Sequence, residues 1–363
     1  MRHLPQRRAM MMKKDKSNEF SKVMTKPKAV SLKELAASLK LSPTTVSLVL
    51  NAAPTAGSIP IGTQDRIFEA ARNLKYRPNH IARSLRAQRT HTIGVLIPEM
   101  SEGYSATVLS GVEEKLLEEG YFYFVVSHWH REELIEHHSR FFVERCVEGI
   151  LAVDTPQHHQ TFLPVVSISG HDETKGVTNI VLNHEQAGLL AVEHLVKLGH
   201  KKIAVIKGQS FSSDTEARWN AIRTAAAQCS IPIKETLVAQ LVGTNPTPEP
   251  GYVATKELLA AKADFTALLA FNDISAIGAI RALNESGRRV PEDASVIGFD
   301  DIYAAEFHNP SLTTIRQPLK EMGCLGAEYL LKRIRENNDD DFPADVTVEP
   351  ELIIRQSTAE VKN

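Results

Sequence analysis

Apolar residues along this chain change their spacing twice. Residues 1–28 are polar, rich in Lys and Met, and carry no apolar period, which predicts a disordered extension. From Val30 the pattern becomes helical. SLKELAASLK spaces Leu32, Leu35, Ala36 and Leu39 on one helix face, with Ser31 as N-cap and Glu34 completing a capping box. LSPTTVSLVLN follows, with Ser42 able to cap and Pro43 at the first helical position, where a missing N–H is harmless. Two short helices joined by a tight turn are expected, then a loop through AAPTAGSIPIG, then a third helix from about Gly62 to Tyr76 with Ile67, Ala70, Ala71 and Leu74 on its inner stripe.

From Thr92 short continuous apolar runs alternate with helical stretches. HTIGVLIP, YFYFVVSH, EGILAVDT, FLPVVSIS, KKIAVIKG, ETLVAQLV, FTALLAFND and ASVIGFDD are of strand length, and helices are expected near Tyr104, near Arg131, through EQAGLLAVEHLVKLGH and through SAIGAIRALNESG. Strands without polar alternation are covered on both faces, so the expected class is α/β, with two doubly wound parallel sheets in series behind an all-α helix-turn-helix headpiece. A cleft between two such lobes is the expected ligand site.

Charge adds a partner to this picture. The chain has 363 residues and a net charge of -2, but residues 1–90 hold 18 Lys and Arg against 5 Asp and Glu, a surplus of 13. The remaining residues hold 24 against 39, a deficit of 15. One end is built to meet a polyanion. No apolar run of membrane-spanning or secretory type occurs, so a cytoplasmic protein without membrane contact is expected. Cys146, Cys229 and Cys324 lie far apart and form no CxxC pair, which suggests buried, reduced thiols and neither a disulfide framework nor a zinc motif.

The segments SLKELAASLKLSPTTVSLVLN, YRPNHIARSL, HLVKLGHKKIAVIKG, AFNDISAIGAIRAL, VPEDASVIGFDD and NPSLTTIRQPLKEMG occur in an order that resembles the lactose/galactose-repressor family over roughly residues 29–355. The resemblance implies a headpiece over 29–77, a hinge over 78–90 and a periplasmic-binding-protein-like core over 91–360. The first lobe would take about 91–187 and 319–346, the second about 188–315 and 347–360. It also implies a transcriptional regulator, acting as a homodimer on a roughly palindromic double-stranded operator and controlled by a small effector, a sugar for preference, with no cofactor.

In that resemblance the DNA-binding residues begin at Ser42; the recognition helix presents Pro43, Thr44 and Leu48 to base edges, while Thr45, Ser47 and Asn51 stand near phosphates, which position without specifying. Leu48 can read only by apolar contact, as with a thymine methyl, or else it packs in the headpiece core. The hinge would place Leu85 as a wedge in the minor groove, flanked by Asn79, His80, Arg83 and Arg86; the alternative is a flexible linker.

The effector cleft is carried onto Tyr104, Asn183, Arg218, Asn272, Asp273 and Asp300. Several of these end strands, where open α/β sheets place ligand contacts. Acceptors from Asp and Asn with a donor Arg suit vicinal hydroxyls, though Arg also suits a carboxylate or phosphate, and Arg218, Asp300 and Asp273 can equally serve as salt-bridge or capping residues. Relatives carry a further stacking aromatic where GTNPTPEPGY has none before Tyr252, and Trp219 is either a cleft aromatic or core.

Two rivals remain. A periplasmic solute-binding protein shares the core but needs a secretory signal and no headpiece. An enzyme finds support in His128, His130, His137 and His138, but HWHREELIEHH is expected to run from a strand end into a charged helix whose face carries them in solvent, HEQAG is not HExxH, and no GxSxG, Walker or GxGxxG pattern sits in the right setting. No catalytic or metal site is expected.

Overall fold

Ser31 and Glu34 begin the first helix by exchanging hydrogen bonds. Ser31 N–H donates to Glu34 Oε2 at 2.7 Å and Glu34 N–H to Ser31 Oγ at 3.2 Å. The helix, α1 (Leu32–Leu39), stops where Lys40 turns left-handed, and α2 (Pro43–Leu50) starts from Ser42, whose hydroxyl accepts from Thr45 N–H at 3.0 Å. α3 (Ile61–Asn73) closes the bundle. Leu35, Ala36, Val46, Val49 and Ile67 form its small core. Where a loop was expected, Pro54–Ser58 makes a 3₁₀ turn, because Pro54 fixes the first φ and Gln64 Nε2 ties the carbonyls of Ala56 and Ile59.

In this computed structural model the described residues are 30–51, 53–77, 84, 89–100, 103–155, 161–171, 173–336 and 342–361. The disordered extension expected over 1–28 and the hinge positions Asn79, His80, Arg83, Leu85 and Arg86 lie outside them. The chain divides into two compact units, residues 1–88 and 89–363.

The larger unit holds two six-stranded sheets. In the first, β1 (Thr92–Ile97), β2 (Phe122–Ser127), β3 (Gly149–Val153), β4 (Val165–Ile168), β5 (Val177–Leu182) and β11 (Asp345–Val348) run parallel in the order β11-β5-β4-β3-β1-β2. In the second, β6 (Ile203–Lys207), β7 (Val238–Gln240), β8 (Ala267–Ala270), β9 (Ser295–Asp300), β10 (Thr313–Arg316) and β12 (Glu351–Ile353) follow the order β12-β10-β9-β8-β6-β7, with only β12 antiparallel. β1, β3, β8 and β9 are buried along their whole length, as two-sided helical cover requires.

Helices α4 (Tyr104–Glu118), α5 (Glu132–Glu144) and α11 (Leu319–Glu336) cover the first sheet, while α6 (His184–Lys197), α7 (Asp214–Gln228), α8 (Glu249–Ala260), α9 (Asp273–Glu285) and the short α10 (Tyr303–Phe307) belong to the second. α4 and α11 touch backbone to backbone. A Cβ added at Gly111 would lie 1.9 Å from the Lys320 carbonyl oxygen. The chain crosses between lobes three times, after β5, after β10 and after β11.

Candidate effector cleft

Strand ends from both sheets converge on one cleft that is partly open to solvent, the place where open α/β sheets bind ligands. The first lobe supplies Tyr104 at the start of α4, His130 after β2 and Asp154 after β3; the second supplies Phe211 and Asp214 after β6, Arg218 from α7, Asn272 after β8 and Asp300 at the end of β9.

Arg218 is 3% exposed. Its guanidinium carbon lies 4.5 Å from the ring centroids of both Phe271 and Phe299. One of its NH2 groups donates to the Phe271 carbonyl, the other to Asp214 Oδ2 at 3.2 Å, and its Nε is buried without a partner. Two aromatic faces and one carboxylate therefore hold the cation rigidly at the cleft wall.

The carboxylates are less well compensated. Asp300, at φ 107°, accepts from Gln317 Nε2 at 2.5 Å, and burial pushes its carboxyl up to about 7 although Arg218 opposes this. Asp154 faces Ser213 Oγ at 3.0 Å and Ser213 N–H at 3.3 Å; burial, reinforced by the charge of Asp214, raises it to about 6. Against the same burial, hydrogen bonds from His171 and His184, with Arg218 nearby, hold Asp214 well below the usual carboxylate range. The Tyr104 hydroxyl is buried without a partner, and burial lifts it well above the ordinary phenol value.

Of the residues named from sequence, Tyr104, Arg218, Asn272 and Asp300 line the cleft together. Asn272 spends its side-chain oxygen on Ser275 N–H at 2.9 Å, as the cap of α9. Two expectations need correction. Asp273 turns away from the cleft and is buried behind it, accepting from Ile302 N–H at 2.9 Å and Thr314 Oγ1 at 2.6 Å, so its role is to join α9 to β10. Asn183 caps α6 through Gln186 N–H at 3.1 Å and donates to Glu349, outside the cavity lining. Trp219 packs in the hydrophobic core, with Lys207 over its ring.

The histidine segment also departs from the expected solvated face. Trp129 and His130 both adopt left-handed φ at a turn after β2, so HWH is not helical. His128 is fully buried against Thr155 Oγ1 at 2.9 Å, and burial lowers it to about 4. The His130 ring lies 3.8 Å from that of Phe211 across the cleft, and only His137 stands exposed on α5. Phe211 thus supplies an aromatic ring to the cleft lining. Asp154, Phe211 and Asp214 went unnamed in the sequence, although each follows a strand that was read there.

In the headpiece, Pro43 and Thr44 are exposed, and Leu48 is partly covered without joining the hydrophobic core cluster. Ser42 and Thr45 are 2.8 Å apart through their hydroxyls, and Asn51 Nδ2 donates to the Ser47 carbonyl at 2.8 Å. Their polar groups are engaged locally, which leaves Pro43, Thr44 and Leu48 as the free surface of α2.

Residues 192–358 match the model of a periplasmic binding protein-like domain. The chain is 32% identical over 342 residues to the HTH-type transcriptional repressor PurR of Haemophilus influenzae, covering 91% of this chain and 99% of that one. It is also 32% identical to the repressor of the same name from Aliivibrio fischeri, over 90% of this chain and 98% of the relative. Among solved structures, the lac repressor dimer bound to operator and the anti-inducer ONPF superposes with a TM-score of 0.82 at 25% identity, covering 92% of this chain and all of that one. A LacI family regulator from Enterococcus faecium with bound ribose follows at 0.65 and 27% identity, over 75% of this chain and 100% of the other. The relatives are repressors and not enzymes. Identity of this extent along nearly the whole length, with a helix-turn-helix unit ahead of a two-lobed cleft, makes the chain a member of the lactose/galactose-repressor (LacI/GalR) family of DNA-binding transcriptional repressors with a ligand-binding core.

Proposed function

We propose that this repressor acts as a homodimer on a roughly palindromic operator and that its effector is a neutral polyhydroxylated molecule, a sugar or sugar derivative. The carrying observation is the balance of groups lining the cleft. Glu99, Asp154, Asp214 and Asp300 line the cleft beside a single guanidinium, Arg218, which Asp214 already engages, so hydrogen-bonding carboxyls for several hydroxyls outnumber the fixed cation. The rings of His130 and Phe211 at the mouth give an apolar sugar face something to pack on. Ribose in the Enterococcus faecium regulator and cellobiose in a CelR structure, at 26% identity and a TM-score of 0.68, support the same class.

Direct base contact would come from Thr44 and Leu48, with Leu85 as the minor-groove wedge. The lac repressor dimer on its operator supports the dimeric mode. Control then follows from linkage: a ligand that prefers one arrangement of the lobes shifts operator affinity by its difference in affinity between the two arrangements. The test is a melting scan of the full-length protein with pentoses, hexoses, disaccharides, sugar phosphates and free nucleobases or nucleosides. A neutral sugar should raise the melting temperature in a saturable way, and Arg218→Lys should abolish the rise. Stabilisation by only a phosphorylated or heteroaromatic compound would replace the sugar reading.

A further inference from the structure

HEQAG was set aside as no metalloprotease motif, yet its histidine belongs to a cluster that only the tertiary structure assembles. The loop after β4 carries His171, α6 begins at His184 and α7 begins at Asp214. Nε2 of both imidazoles donates to the same oxygen, Asp214 Oδ1, at 3.0 and 3.1 Å, and one donor atom from each residue lies within 4.8 Å of the others. The side chains of His184 and Asp214 are 7% and 8% exposed, while His171 at 35% leaves a path from solvent. Nδ1 of His184 is buried without a hydrogen-bond partner.

We propose that His171, His184 and Asp214 form a binding site for a divalent transition metal of the zinc class, tying the β4–β5 loop of the first lobe to α7 of the second.

Two neutral imidazole nitrogens and one carboxylate oxygen are a donor set that zinc accepts, with water completing a tetrahedron. Metal–ligand bonds of about 2.0–2.2 Å put tetrahedral ligands roughly 3.3 Å apart. The two His–Asp separations are within a few tenths of an ångström of that. For each Nε2 to ligate, its ring would keep one proton on Nδ1: an imidazolium releases its Nε2 proton to solvent, whereas a neutral ring moves its single proton to Nδ1 through solvent and releases none. The excess of carboxylates over guanidinium around the cleft favours an added cation. Arg218, 3.2 Å from the other oxygen of Asp214, and the two helix starts act against it. Ions held by charge and oxygen alone, Mg²⁺ and Ca²⁺, are therefore disfavoured, and a metal that bonds imidazole is selected.

The experiment is calorimetric titration of the full-length protein with Zn²⁺, in a Cys146→Ser background that removes an exposed thiol, with Co²⁺ visible absorption reporting nitrogen–oxygen ligation. One equivalent per chain is expected, insensitive to millimolar Mg²⁺. His171→Ala and His184→Ala should each weaken that equivalent at least about tenfold. Should His184→Ala misfold, His171→Ala still decides the matter, because His171 is half-exposed and its fold can be checked by the melting curve. No uptake by the parent protein, or an equivalent unchanged in a folded His171→Ala variant, would overturn the proposal.

Discussion

The headpiece and the cleft are built on opposite plans. The headpiece residues expected to meet DNA come from one ten-residue stretch, Ser42 to Asn51, on a three-helix unit whose core is five buried side chains. The cleft draws its lining from the ends of strands in both sheets, spread from Pro98 to Gln317, and rests on cores of dozens of residues. A site on one helix depends on that helix alone, whereas a site on many strand ends depends on the relative position of two lobes. The first is local and easily lost; the second is robust in fold and responsive in geometry, as an effector-controlled repressor needs.

The strongest way to separate the two is to remove the buried centre of the headpiece. Leu35→Ala should cost about 3–5 kcal/mol, enough to unfold so small a unit, abolishing operator binding while calorimetry shows the core transition and effector-dependent stabilisation unchanged. Loss of both functions together would deny the two units their independence.

In the cleft, Asp300→Asn tests the cost of burying an uncompensated carboxylate. A folded-state value raised to about 7 means the native state holds a proton that the unfolded chain releases, so this group removes stability as pH rises from about 4 to 7. The variant's melting temperature relative to the parent should climb across that window and level off above it. His128, lowered to about 4, acts in the opposite sense, weakening the fold as pH falls below 6.5, and it contributes equally to both proteins. A difference curve flat in pH would show Asp300 to be compensated after all.

Two smaller substitutions sharpen the headpiece side. Leu48→Ala should lower operator affinity by about 1–3 kcal/mol in fluorescence anisotropy, without changing the salt slope or headpiece stability, since Leu48 is outside the core cluster. A stability loss like that of Leu35→Ala would make it a packing residue instead. Ser42→Ala should cost about 1 kcal/mol of headpiece stability through the lost cap, measurable in urea, with little effect on the cleft.

The same contrast governs what the sequence revealed. Helix periodicity, the Ser31–Glu34 box and Pro43 after Ser42 delimited the headpiece helices to within a few residues, because each signal acts over one turn. The long apolar strands β1, β3, β6, β8 and β9 were equally plain. β10, β11 and β12 were not, since TTIR, DVTV and ELI are short and partly polar, and β5 was passed over between Gly176 and the helix that follows it. In the cleft, Arg218 and Asp300 were legible through resemblance and strand ends. Asp273 misled because a carboxylate beside a strand end can face either way, and the carbonyl-side turn of β9 claimed it. Asp154 and Phe211 become neighbours of Ser213 and His130 only when the lobes meet, and no local pattern encodes that meeting.

An effector-controlled repressor is defined by the coupling of its operator and effector sites. Full-length protein should be titrated onto a fluorescent palindromic duplex from its own upstream region, with and without the sugar that raises its melting temperature most. A shift in operator Kd of about fivefold or more, lost in Arg218→Lys, is the predicted result. Superimposable curves at saturating sugar would contradict it.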